Sequence, residues 1–109
     1  MKMSYHYWQN KGKKSKKGFI ALSNSYHGET LGSLSVSNID LYKKTYESIL
    51  KDTIIVDSPD SYRKKENVSE EEHAEQMFNK MYKALKDNHR NVCAVIVEQL
   101  IQCDGYMRM

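Results

Sequence analysis

Apolar residues gather in three short unbroken runs, Gly18-Phe19-Ile20-Ala21-Leu22, Thr53-Ile54-Ile55-Val56 and Val92-Cys93-Ala94-Val95-Ile96-Val97. None alternates with polar residues, which is the pattern of strands covered on both faces, as in parallel sheets. The third run is the most fully apolar. Ahead of it, Ser69-Glu70-Glu71-Glu72 has the form of a capping box, with Ser69 as N-cap and Glu72 at the third helical position. Ala74, Met77, Phe78, Met81 and Leu85 then recur at helical spacing. The first turn of this segment is acidic, and Lys83, Lys86, His89 and Arg90 stand near its end, which suits the helix dipole. Strand 53–56, helix 69–88 and strand 92–97 thus predict a βαβ unit, its strands parallel and its crossover right-handed.

The other segments are less regular. Leu41, Tyr42, Thr45, Tyr46, Ile49 and Leu50 predict a helix over 39–50, with Ser37 or Asn38 as its cap. Residues 29–36 suit a short helix with a face of small residues. The first ten residues carry Tyr5, Tyr7 and Trp8 and no start signal, as though a helix were entered midway. Polar turns follow the first two strands, Ser23-Asn24-Ser25-Tyr26-His27-Gly28 and Asp57-Ser58-Pro59-Asp60. The fold class is α/β.

With 109 residues the chain makes one domain at most, and 39% hydrophobic with 28% charged residues is ordinary globular composition. No apolar run approaches the ~20 residues of a membrane helix, and no h-region of a signal peptide follows Lys2. The net charge of +3 hides an asymmetry: residues 1–28 hold six lysines and no acidic residue. A basic arm of this kind suits either a solvated loop or, through Lys11–Lys17 with Tyr5, Tyr7 or Trp8 stacking on bases, a nucleic-acid-binding α/β module. The acidic balance of the remainder counts against the second. Cys93 and Cys103 make no disulfide framework, and no His/Cys cluster has metal-ligand spacing. A reduced, cytoplasmic protein without a structural metal is expected.

Ligands of open parallel sheets bind beyond the carboxyl ends of the strands. That rule selects two places, Tyr26-His27-Gly28 after the first strand and Glu98 after the third. A carboxylate directly after six strand residues must leave the apolar layer, find a partner or have a raised pKa. From spacing alone, Glu98 equally suits a residue that only marks the strand end. No GxGxxG, Walker, GxSxG or HExxH motif is present.

Tyr26-His27-Gly28-Glu29-Thr30-Leu31-Gly32 with Leu34-Ser35-Val36 resembles the class III pyridoxal-phosphate-dependent aminotransferases. The nearest branch is the adenosylmethionine–8-amino-7-oxononanoate (diaminopelargonic acid) aminotransferases of biotin biosynthesis, with another class III aminotransferase as the alternative. Lys2-Met3, Tyr7-Trp8, Leu41-Tyr42-Lys43-Lys44-Thr45-Tyr46, Ser58-Pro59-Asp60 and Val95-Ile96-Val97-Glu98 extend the likeness in family order, as do Leu100, Gln102, Gly105, Met107 and Arg108. Gln99 departs from the family's usual proline, and Asp104 and Tyr106 from small residues.

The resemblance implies part of the large, cofactor-binding domain of a fold-type-I enzyme, truncated at both ends of residues 1–109. It implies pyridoxal 5'-phosphate as cofactor, S-adenosylmethionine (lysine in some members) and 8-amino-7-oxononanoate as substrates, and a homodimer. Tyr26 matches the aromatic residue that stacks on the cofactor ring, and Glu29 an acidic position that orients it; both are expected to be catalytic. His27, Gly28 and Glu98 match cofactor-binding positions. The family's phosphate-binding loop would precede Met1, and its aspartate and Schiff-base lysine would follow Met109. The isolated segment is therefore expected to be inactive.

Overall fold

A computed structural model describes residues 1–101 of the chain. Its centre is a three-stranded, wholly parallel sheet of β1 (Gly18–Leu22), β2 (Ile54–Val56) and β3 (Val92–Ile96), in the order β2-β1-β3. Helices α1 (Lys2–Asn10), α2 (Leu31–Val36), α3 (Asp40–Lys43) and α4 (Glu70–Asn88) surround it. The expected βαβ unit is present, and α4 carries the chain from β2 to β3 past the central β1.

The two faces of β1 explain the layering. Phe19 and Ala21 pack with Val36, Cys93 and the Trp8 ring on the side of α1 and α2. Ile20 and Leu22 pack with Val56, Val92, Met81 and Ala84 on the side of α4. An unbroken apolar run is thus required of β1, because successive side chains point to opposite covered faces. β1, rather than β3, is the most fully covered strand. β3 lies at an edge of the described sheet, so its last three residues are only half-buried.

The β1–β3 register slips once. Gly18 faces Val92 and Phe19 faces Ala94, which leaves Cys93 as an added residue. Both Cys93 and Ala94 then turn toward α1, and the Cys93 carbonyl accepts from the Trp8 indole at 2.8 Å. Burial pushes the Cys93 thiol up, and the side chain packs as a small hydrophobe in the core. Cys103, with Gln102, Asp104, Gly105, Tyr106, Met107 and Arg108, lies outside the described residues.

The N-cap half of the expected capping box is present, Ser69 Oγ accepting from Glu72 N at 3.1 Å, while Glu72 Oε1 accepts from Gln76 Nε2 at 3.4 Å. The seam of α4 differs from the expected one. Met77, Met81 and Ala84 face the sheet side, whereas Phe78 is 64% exposed and Ala74 and Leu85 are also exposed. Phe78 stacks on Tyr82 along that outer face.

The helix expected over 39–50 is a single turn, α3, followed by a 3-10 segment at Lys44–Ile49. Its N-cap is Ile39, which makes no side-chain cap bond, and neither Ser37 nor Asn38 fills that role. Leu41 and Ile49 are largely exposed, so no apolar stripe reaches the core to support a longer helix. Short helices rich in Thr, Ser, Tyr and Ile are marginal without such support.

Candidate functional site

All three strands run in the same direction, so their carboxyl ends meet along one edge. There β1 gives way to the turn 23–28, which has little regular backbone pairing of its own. Ser23 N donates to Val56 O at 2.8 Å and Ser58 N to Ser23 Oγ at 2.9 Å, tying the end of β2 to it. Asn24 takes a φ of 59°, a left-handed conformation that Asn tolerates better than most residues. The fully buried Ser25 donates its hydroxyl to Leu22 O at 2.7 Å and tightens the reversal.

Glu98, two residues beyond β3, reaches this turn. Its Oε2 accepts from Tyr26 N at 2.7 Å. The carboxylate therefore leaves the apolar layer and finds a partner, as its place in the sequence requires. The Tyr26 hydroxyl donates to Glu29 Oε1 at 2.9 Å, and its ring lies 5.3 Å from that of Tyr42, tilted by 52°. Gly28 has a φ of 108°, which disfavours any side chain there; a Cβ would meet Ser33 Cβ at 3.5 Å. Thr30 then caps α2 by accepting from Ser33 N.

His27 is half-buried, and its Nε2 is buried without a hydrogen-bond partner among the described residues. Burial pushes its pKa below the ordinary histidine value, and the Glu98 carboxylate opposes that shift only in part. Burial thus favours the neutral ring, which donates or accepts at Nε2 according to its tautomer.

The structure thus places Tyr26, His27, Gly28, Glu29 and Glu98 together at one sheet edge. It adds Ser37, Asn38 and Tyr42, which sequence reasoning assigned to helix capping or packing. Ser37 Oγ accepts from His27 N at 2.9 Å, and Asn38 Oδ1 accepts from Asn24 N at 3.3 Å. α3 takes Ile39 as its N-cap, so neither side chain is engaged in capping it.

A family model described as aminotransferase class III matches residues 1–109. The chain belongs to the aminotransferase class III family. An adenosylmethionine-8-amino-7-oxononanoate aminotransferase of Helicobacter pylori is 38% identical over 110 residues, covering 100% of this chain and 23% of that protein. One of the same name from Aquifex aeolicus is 41% identical, covering 98% of this chain and 24% of that protein. Among solved structures, the omega transaminase of Pseudomonas jessenii in complex with PMP matches with a TM-score of 0.87 and 28% identity, over 98% of this chain and 24% of that one. This class III chain spans about a quarter of the length of the relatives it matches.

The basic arm reads differently within this family. Lys16 Nζ donates to His89 O and Val92 O, the latter at 3.1 Å, and sits 4.3 Å over the Trp8 ring. Lys16 thereby satisfies one carbonyl at the C-cap of α4 and one at the start of β3. Trp8 is packed against the core and hydrogen-bonded, so neither it nor Lys16 has the exposure that base stacking and phosphate tracking require, whereas Lys11, Lys13, Lys14, Lys17, Tyr5 and Tyr7 are exposed.

Proposed function

We propose that this chain is a segment of the cofactor-binding domain of a pyridoxal-phosphate-dependent aminotransferase of biotin biosynthesis. The parent would transfer the amino group of S-adenosylmethionine to 8-amino-7-oxononanoate, giving 7,8-diaminononanoate. The observation that carries this reading is the Tyr26–Glu29 hydrogen bond at the carboxyl edge of the sheet, on a turn held by Glu98. The names of the Helicobacter and Aquifex relatives support the choice of substrates.

The residues fit the cofactor. Tyr26 offers an aromatic face for a planar ring. His27 offers a buried polar atom without a partner among the described residues, and Gly28 leaves its side of the turn bare of side chain. Pyridoxal phosphate, when bound, supplies the electron sink that amino transfer needs. Tyr26 would hold that ring by stacking, with its hydroxyl turned to the substrate amine. Glu29, accepting from that hydroxyl, would fix the direction in which the phenol presents its lone pairs. Glu98 would act through the backbone, holding Tyr26 N in place, and would keep the His27 side of the site electronegative.

We further assign the parent to the cytoplasm as a homodimer, and the isolated segment to an inactive state. The buried free thiol of Cys93 accords with a reducing compartment. The test is an amino-transfer assay of the complete polypeptide with pyridoxal phosphate, 8-amino-7-oxononanoate and a panel of S-adenosylmethionine, lysine and ornithine. Formation of 7,8-diaminononanoate from S-adenosylmethionine is expected. Transfer from ornithine or another amine to a different acceptor, with none to 8-amino-7-oxononanoate, would move the enzyme to another class III activity.

A further inference from the structure

The turn that carries Tyr26 is held by side chains brought from elsewhere. Its amides at Asn24, Tyr26 and His27 donate to Asn38 Oδ1, Glu98 Oε2 and Ser37 Oγ, at 3.3, 2.7 and 2.9 Å. Two of these bonds flank the Cα of Tyr26. Holding its own N–H fixes one side of the residue, and holding the N–H of His27 fixes the other. Together they restrict φ and ψ at Tyr26, and with them the direction in which its Cα–Cβ bond leaves the backbone.

Ser37 is equipped for this task. It is fully buried, at the C-cap of α2. Its hydroxyl accepts from His27 N and donates to Ser33 O at 3.0 Å, one helical turn back, so the oxygen cannot rotate away without losing a bond. Asn38 N adds a bond to Ser25 O at 2.8 Å. The end of α2 is thereby fastened to the turn that precedes it, closing a loop from His27 to Ser37 that contains Glu29.

We propose that Ser37 is a positioning residue for the Tyr26–Glu29 pair, acting through the His27 amide. The proposal rests on the aminotransferase reading of Tyr26 given above. Reacting groups lose rate steeply with small misplacement, and a freed ψ at Tyr26 displaces its hydroxyl most, because that atom is farthest from the backbone.

In the complete polypeptide, Ser37→Ala is expected to lower kcat about 10-fold while KM for the amino donor changes less than about 2-fold. In a Tyr26→Phe background the same change is expected to cost under about 3-fold, because the hydroxyl it positions is gone. Ser37→Thr, which keeps the hydroxyl, should restore most of kcat. Should Ser37→Ala fail to fold, Ser37→Cys keeps nearly the same volume while weakening both hydrogen bonds, and the same loss is expected of it. A parental kcat in the folded variant, or an equal fractional loss in both backgrounds, overturns the proposal. If the unsubstituted polypeptide transfers no amino group, the functional reading fails first. Amide exchange then still reports on Ser37: faster exchange at His27 in Ser37→Ala upholds the hold on the turn, and unchanged exchange refutes it.

Discussion

The Tyr26 hydroxyl donates to Glu29 Oε1 at 2.9 Å, across a turn that becomes helix only at Leu31. The two side chains are therefore joined before any helical spacing could bring them together, and Gly28, at a φ of 108° between them, shapes the path. If Glu29 acts by orienting the phenol, Glu29→Gln and Tyr26→Phe remove one and the same interaction. Each is expected to lower kcat, and the double variant should lose much less than the product of the two single losses. Single-turnover rates on folded protein measure this. Strictly multiplicative losses would mean that the two residues act independently.

Gly28→Ala is expected to destabilise the turn by about 1 kcal/mol or more, since an L side chain is strained at this φ. Space is not the obstacle, because the nearest atom to the added Cβ is Ser33 Cβ at 3.5 Å. A denaturation midpoint unchanged from the parent would contradict the assignment of strain.

The lowered pKa of His27 gives stability a pH dependence whose sign follows from burial. The unfolded chain takes up its proton near the ordinary histidine value of about 6.5, before the folded chain does. As pH falls through that value the unfolded state is favoured, and the loss levels off below the folded pKa. His27→Gln should remove this part of the slope. From pH 7.5 to pH 5 the denaturation midpoint of the parent is expected to fall relative to that of His27→Gln, and equal pH slopes in the two proteins would contradict the assignment.

Ile20 is fully buried in the central strand, between residues of β2, β3 and α4. Ile20→Ala is expected to cost about 2–5 kcal/mol through lost contacts and a residual cavity. Ser69→Ala removes only the cap on Glu72 N and should cost about 1 kcal/mol. Denaturant titration ranks the two; a larger loss at Ser69 would overturn the placing of the core.

Strand positions were legible because unbroken apolar runs are forced on any strand with both faces covered, and Phe19, Ile20, Ala21 and Leu22 divide between the two sides accordingly. α4 was legible from Ser69 and Glu72, whose roles are local. The seam of that helix was not, since Met77 and Phe78 are equally apolar and only the sheet decides which is covered. The 39–50 segment misled for a related reason, as apolar residues at helical spacing predict a helix only where something buries them. Glu98 stood out as a carboxylate at a strand end, and its partner, the Tyr26 amide, required the three-dimensional arrangement. Ser37 carried no signal of its own, because a buried serine is indistinguishable by composition from a cap.

The aminotransferase reading centres on Tyr26, and one measurement separates its ring from its hydroxyl: pyridoxal phosphate affinity and single-turnover amino transfer, taken together, for Tyr26→Phe and Tyr26→Ala in the complete polypeptide. Stacking needs the ring alone, so Tyr26→Phe should bind the cofactor as the parent does while transferring the amino group more slowly. Tyr26→Ala should lose rate and also affinity, the latter by roughly 1 kcal/mol, the scale of an aromatic pair. Parental rate and affinity in both folded variants would contradict the placing of the cofactor at this turn.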